Sequence, residues 1–193
     1  NIVRADTDLT ELLNEKYSEE DRKYIHSCSI TGGEPLIHLE HFEDIIEELL
    51  ESFNGINHII VETNGLYLYK KENAMKFAEL SNIYADRIKF TLSISPKLDA
   101  RVSYGKAGRN GDINEKNILD IYEVVFKNYK RYLTNVVNIQ CKFVHSQVLK
   151  ESNEPLMDII INNNYIYPRT KILIMPFTPL AKITDYEKKW KES

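Results

Sequence analysis

Short runs of β-branched and apolar residues alternate along this chain with longer stretches whose apolar residues recur every three or four positions. The run His26-Ser27-Cys28-Ser29-Ile30-Thr31 reads as a strand and is stopped by Gly32-Gly33. Over residues 39–53, Leu39, Phe42, Ile45, Ile46, Leu49, Leu50 and Phe53 fall at helical spacing, and Asn54-Gly55 ends the helix. A second strand over 57–62 stops near Asn64-Gly65, and a second helix over 70–82 carries Ala74, Phe77, Ala78 and the following Ile83 near one face. A third strand over 88–94 stops at Pro96. A third helix over 114–132 repeats Ile118, Ile121, Val124, Val125 and Tyr129. A strand over 136–144, a short helix over 156–163 and a strand over 171–175, stopped by Pro176, complete the pattern.

Five strands with helical connections predict an α/β fold with a parallel sheet, either open and doubly wound or curled into a barrel. The strands read as mostly apolar throughout, the pattern expected when both sheet faces are covered. No repeat and no linker divides the 193 residues, so one domain over 1–193 is expected. Residues 1–20 offer no core face before Leu9, Leu12 and Leu13. The segment 105–112, with Gly105, Gly108 and Gly111, lacks the spacing of a phosphate-binding loop and reads as a surface insertion.

Composition narrows the function classes. The apolar share of 42% and charged share of 28% are those of a globular chain. Lys and Arg number 25 against 29 Asp and Glu, so a net charge of −4 gives no electrostatic case for nucleic acid as a partner. No apolar run approaches the roughly 18 residues of a membrane span, and the polar N-terminal stretch does not read as a signal peptide. Two cysteines, Cys28 and Cys141, exclude a disulfide framework and a four-cysteine metal site built by this chain alone. The expected compartment is cytoplasmic.

Parallel α/β folds bind ligands beyond the carboxyl ends of their strands. That rule selects Thr31-Gly32-Gly33-Glu34-Pro35, Glu62-Thr63-Asn64-Gly65, Ser95-Pro96-Lys97, His145-Ser146 and Met175-Pro176-Phe177-Thr178. Paired glycines let a main chain approach a ligand closely, although the same pair also makes an ordinary strand-to-helix turn. His38 and His41 are three apart but have no carboxylate–cysteine set to complete a metal site, so they read as a solvated first turn. His26 and His58 read as structural, His145 stands at a strand end, and Tyr165-Ile166-Tyr167-Pro168 reads as packing.

The run Ile30-Thr31-Gly32-Gly33-Glu34-Pro35-Leu36 resembles the GGEP motif of radical S-adenosylmethionine (SAM) enzymes. Glu62-Thr63-Asn64-Gly65 and Ser95-Pro96-Lys97 follow at the next two strand ends, and Met175-Pro176 follows the fifth strand. This ordered set, spanning residues 7–178, resembles the 7-carboxy-7-deazaguanine synthase family. The resemblance implies a partial (β/α)₆ barrel in which the five strands are the second to the sixth. It implies that Gly32, Gly33 and Glu34 hold the methionyl amino group of SAM through backbone oxygens. Ser95, Pro96 and Lys97 would line the SAM site, and Met175, Pro176, Phe177 and Thr178 would pack around its adenosine. Thr31 would contact a pterin substrate, with Glu62 and Asn64 near the same pocket.

The implied reaction converts 6-carboxy-5,6,7,8-tetrahydropterin to 7-carboxy-7-deazaguanine, on the route to queuosine and other deazapurines. A reduced [4Fe–4S] cluster cleaves SAM, the 5′-deoxyadenosyl radical abstracts a hydrogen atom, and the ring contracts with loss of ammonia. An external electron donor, Mg²⁺ and a homodimer belong to the same implication. The chain departs from the family in one respect: it has no CxxxCxxC run, and Cys28 and Cys141 lie inside strands as inert core thiols. The cluster loop and a magnesium-binding threonine are therefore expected ahead of residue 1. Residues 185–190 read as the start of a helix, with one more helix and strand expected beyond. No catalytic residue and no metal ligand is assigned within the chain, which alone is expected not to cleave SAM reductively. Two other readings stay open: an activating enzyme for a glycyl-radical protein, and a non-catalytic relative without a cluster that binds a nucleotide or a partner.

Overall fold

The computed structural model describes residues 9–96, 118–145, 150–162 and 170–176. Two short helices, α1 (Leu9–Lys16) and α2 (Glu19–Arg22), lead into β1 (Ser27–Ile30). A 3₁₀ segment (Pro35–His41) continues into α3 (Phe42–Ser52), followed by β2 (His58–Thr63). A second 3₁₀ segment (Leu66–Tyr69) precedes α4 (Lys71–Ile83) and β3 (Lys89–Ile94). Then come α5 (Ile118–Asn128) with a π-helical turn (Tyr129–Leu133), β4 (Val137–His145), α6 (Lys150–Asn162) and β5 (Thr170–Pro176).

The five strands are parallel and lie in the order β1-β2-β3-β4-β5. Each strand pairs with its predecessor, so the connections all step the same way. Right-handed crossovers of one direction place their helices on one face of a sheet. A doubly wound sheet reverses its strand order at a switch point, and the described strands show no reversal. The sheet is α/β and open: β1 and β5 are its edges among the described residues, so no closed barrel is formed by them.

The two faces of the sheet differ in chemistry. Cys28 and Ile30, Ile59, Val61 and Thr63, Phe90, Leu92 and Ile94, Val137, Ile139 and Cys141 stand in register on one face. Their apolar members pack with Phe42, Ile46 and Leu49 of α3, Ala74 and Phe77 of α4, Tyr122 and Val125 of α5, and Leu156 and Ile160 of α6. Phe77 sits between Phe42 and Phe90 in two edge-to-face contacts with centroids 6.3 and 6.0 Å apart. The opposite face presents Ser27, Ser29, His58, Ile60, Glu62, Lys89, Thr91, Ser93, Asn138, Gln140, Lys142, Lys171, Leu173 and Met175, and none of these belongs to the hydrophobic cluster. The expectation of strands apolar on both faces is therefore corrected. Period-2 alternation is present, and among the described residues only one face is packed under helices.

Element boundaries shift for local reasons. The helix expected over 39–53 begins earlier as a 3₁₀ segment, with Pro35 in its first turn and a kink at His38 (φ −105°, ψ 26°). The helix expected from residue 156 starts at Lys150 and runs through Pro155. The missing N–H costs one main-chain bond, offset by burial of Leu156 and Ile160. The end of the helix expected over 114–132 widens into a π turn, where Tyr129 and Leu133 are both buried and the Tyr129 hydroxyl donates to the Val137 carbonyl at 2.9 Å. In α1, Leu13 packs against the core, and just beyond it Tyr17 meets Phe53 edge-on at 5.9 Å. The segments 105–112, 165–168 and 185–190 lie outside the described residues.

Phe77 is fully buried at the crossing of α3, α4 and β3. Phe77→Ala is expected to cost about 3–5 kcal/mol of stability, read as a lowered urea midpoint at unchanged slope.

Candidate functional site

The carboxyl ends of β1 and β2 are joined by one side chain. Glu34 Oε1 accepts from the Leu36 N–H at 3.2 Å and from the Thr63 hydroxyl, and its Oε2 accepts from the Asn64 N–H at 2.8 Å. The Thr63 Oγ1 in turn accepts from the Gly65 N–H at 2.9 Å. Asn64 Oδ1 accepts from the Leu66 N–H at 2.8 Å, and the Tyr122 hydroxyl of α5 donates to the Asn64 carbonyl at 2.9 Å. Gly65 sits at φ +81°, where a Cβ would stand 3.0 Å from Ile94 Cγ2, so this corner requires glycine. The β3 end joins the rim through its main chain, as the Ser95 N–H donates to the Thr63 carbonyl at 2.8 Å.

Thr31, Gly32 and Gly33 are exposed above this latch. Both glycines have positive φ (107° and 55°), and a Cβ on either would meet nothing within 4 Å. The turn therefore offers main chain to open space, and glycine is needed there for its backbone conformation.

Below the rim, the open face carries a connected polar row in strand register. The Ser93 hydroxyl donates to Glu62 Oε2 at 3.0 Å, Gln140 Nε2 donates to Ser93 Oγ at 3.0 Å, and Lys142 Nζ forms an ion pair with Glu62 Oε1. The two charged side chains are 20% and 26% exposed, more sheltered than an ordinary surface pair. Further down the same face, His58 Nε2 lies 2.8 Å from Thr91 Oγ1. Burial, then the charges of Lys89 and Lys171, push the His58 pKa below its usual value.

The residues singled out from the sequence fall as follows. Thr31, Gly32, Gly33, Glu34, Asn64, Ser95 and Pro96 lie together at the ends of β1, β2 and β3, with Glu62 one step down β2. Met175 stands on the open face at the end of β5 and Pro176 closes that strand. Lys97, Phe177 and Thr178 lie outside the described residues, as does Ser146 beside His145. Glu34 and Asn64 put most of their polar atoms into the latch. Asn64 keeps its side-chain nitrogen without a hydrogen bond among the described residues. His26 is tied to the Gly55 carbonyl at 3.1 Å, and His38 and His41 are exposed. Ser93, Gln140 and Lys142 were not singled out, because their strands read as apolar. The signal lay in the alternation Asn138, Gln140, Lys142 and Thr91, Ser93.

No protein-family model matches the chain. Curated relatives do. It is 29% identical over 171 residues, 87% of this chain and 43% of the relative, to GTP 3′,8-cyclase of Limosilactobacillus fermentum. It is 35% identical over 117 residues, 60% of this chain and 31% of the relative, to GTP 3′,8-cyclase of Lactiplantibacillus plantarum. It is 31% identical over 112 residues, 58% of this chain and 42% of the relative, to 7-carboxy-7-deazaguanine synthase of Methanothermobacter thermautotrophicus. Both names are those of radical SAM enzymes. The chain is similar to radical SAM enzymes over part of their length. It spans less than half the length of the curated relatives it matches.

SAM and a [4Fe–4S] cluster are what such relatives imply in general, and the residues present fit the two differently. An exposed glycine turn with open space above it fits the methionyl end of SAM. The cysteines do not fit a cluster. Cys28 and Cys141 stand on strands β1 and β4 on the helix-covered face, and strand spacing and register put them roughly 20 Å apart. Burial raises both thiols, Cys141 to about 12, the opposite of what a metal-binding thiolate needs. No group of three His, Cys, Asp or Glu side chains suited to a metal occurs among the described residues.

Glu34→Ala leaves the Thr63 hydroxyl and the Asn64 N–H without their acceptor. Its expected cost is about 1–3 kcal/mol by chemical denaturation, with Glu34→Gln recovering part of it. His58 is expected to titrate below 6.5 by NMR, with the value rising as added salt screens Lys89 and Lys171. Because its folded pKa is depressed, its contribution to stability is full above the unfolded pKa and is lost as the pH falls through the folded one.

Proposed function

We propose that this chain supplies the SAM-binding and substrate-binding part of a radical SAM lyase that converts 6-carboxy-5,6,7,8-tetrahydropterin to 7-carboxy-7-deazaguanine. The observation that carries the reading is the arrangement of the strand ends. The first two motifs and the Ser95-Pro96 part of the third stand side by side at the ends of β1, β2 and β3, and Glu34 welds the first two turns into one rim above a polar sheet face. The archaeal relative with that name supports it.

In this reading the carbonyls of Gly32, Gly33 and Glu34 accept from the SAM amino group. Ser95, Pro96 and Lys97 flank the cofactor, and Met175, Pro176, Phe177 and Thr178 cover its adenosine. Thr31, Glu62 and the free amide nitrogen of Asn64 hold the pterin. The protein's work is orientation of the two ligands and exclusion of water and oxidant. Bound SAM supplies a 5′-deoxyadenosyl radical on one-electron reduction. Cys28 and Cys141 would not hold the cluster; a [4Fe–4S] cluster bound by other cysteines would deliver the electron, Mg²⁺ would assist substrate binding, and an external donor would reduce the enzyme in the cytoplasm. A homodimer belongs to the same proposal.

A second reading is favoured by one observation: the match over the largest share of the chain, 87%, is to a GTP 3′,8-cyclase. The two are separated by turnover. The intact polypeptide, with its cluster reconstituted anaerobically, is given SAM and either 6-carboxytetrahydropterin or GTP, and products are read by mass spectrometry. Carboxydeazaguanine is the expected product. A cyclised GTP product replaces the first reading with the second, and inertness toward both despite S-adenosylhomocysteine binding assigns a non-catalytic relative. Gly32→Ala is expected to weaken S-adenosylhomocysteine binding by about tenfold while costing about 1 kcal/mol of stability, since the methyl meets no protein atom and only the φ of 107° is strained.

A further inference from the structure

The open face of the sheet is cationic although the chain as a whole is acidic. Its described strand positions include Lys89, Lys142 and Lys171 against one carboxylate, Glu62, in a chain of net charge −4. His58 adds no charge near neutrality, because burial, then the charges of Lys89 and Lys171, disfavour its protonation. An ammonium carries three donors, and Glu62 takes one from Lys142. Beside it, Gln140 spends one N–H on Ser93 and keeps its carbonyl oxygen and a second N–H without a hydrogen bond among the described residues.

Stability does not account for this row. A sheltered ion pair recovers its desolvation cost poorly, and apolar side chains of like volume do as well or better. The same face accepts them, since Ile60 and Leu173 stand next to the pair. A sheltered cation with unspent donors beside an amide edge with unspent donor and acceptor is a recognition surface. It matches a heterocycle bearing a lactam or amino edge and an anionic substituent.

We propose that Lys142, anchored by Glu62, binds the anionic group of the substrate, with Lys171 as a second cation one strand away and Gln140 reading the edge of the ring. This rests on the reading above and deepens it by naming the charged subsite. A carboxylate or a phosphate would satisfy it, and the reading above makes it the pterin carboxylate.

The test is equilibrium binding to the intact polypeptide without cluster reconstitution, so that turnover is not needed. The probes are 6-carboxypterin and its uncharged parent pterin, GTP and guanosine, with S-adenosylhomocysteine as an independent ligand of the rim. Lys142→Met is expected to weaken 6-carboxypterin by about tenfold or more, while pterin and S-adenosylhomocysteine change less than about twofold. Lys171→Met, at an exposed position, is expected to weaken 6-carboxypterin by a few-fold and to flatten the salt dependence of its binding. If GTP shows the Lys142-dependent loss and 6-carboxypterin does not, the anion subsite stands and the carboxypterin reading falls. The inference is overturned if charged and uncharged ligands lose affinity alike, or if both variants bind the charged probes as the parent does. Should Lys142→Met fail to fold, Lys171→Met and the charged-against-uncharged comparison in the parent protein decide it by the same criteria.

Discussion

The Glu34 carboxylate is the constraint on which the rim depends. A half-buried carboxylate is tolerated only with its lone pairs filled, and here three donors fill them: two main-chain N–H groups and the Thr63 hydroxyl. Two of those donors belong to the last residue of β2 and the turn that follows it, so the shape of the glycine turn after β1 and the shape of its neighbour are one problem. Thr63 passes the constraint on to Gly65, which is wedged against Ile94 of β3. Tyr122 passes it to α5, through a ring fully buried in the core and a hydroxyl that reaches the Asn64 carbonyl. The main-chain geometry of the rim is thereby coupled to helix packing on the far side of the sheet.

Among the described residues the helices cover one face of the sheet and leave the other to polar side chains. The helices bury one face in a cluster that includes Phe42, Phe77 and Phe90, and this burial is the dominant stabilising term. The opposite face is free to carry groups that a packed face would reject. Ser93 and Thr91 are buried there, each satisfied by a neighbouring strand's side chain. A strand order without reversal concentrates all this polarity on one side, beneath the carboxyl ends. A doubly wound sheet would have covered it.

Much of the fold was legible because its signals are local. Leu39 to Phe53 at helical spacing, Asn64-Gly65 as a stop and the β-branched strands all act within a few residues. The kink at His38 and the passage of α6 through Pro155 were not legible, since tertiary burial outweighs local preference there. Glu34 was singled out for its motif, yet its three hydrogen bonds depend on Thr63 and Asn64, 29 and 30 residues away, which no spacing rule encodes. Lys142 was hidden for a related reason. Its pairing with Glu62 spans 80 residues and two intervening strand pairings, and only sheet register brings the two together.

The same division suits the two reaction names carried by relatives that are 29–35% identical to this chain. A rim built from main-chain atoms and a carboxylate latch can hold one cofactor in any protein that folds the turn, because the groups offered to the ligand are not side chains. Under the proposed function, side chains on the open face choose what lies against it. Identities of 29–35% leave room for the side chains of that face to differ between the relatives and this chain. In the proposed reading the strand-end turns hold the cofactor, and the substrate is read by the polar row, of which only Glu62 belongs to a strand-end motif. Glu62, Ser93, Gln140 and Lys142 form a connected set of charge and amide groups, and under the proposed function replacing one would change the ring edge or the charge that the face accepts, while the main-chain and carboxylate bonds of the rim are made by other residues.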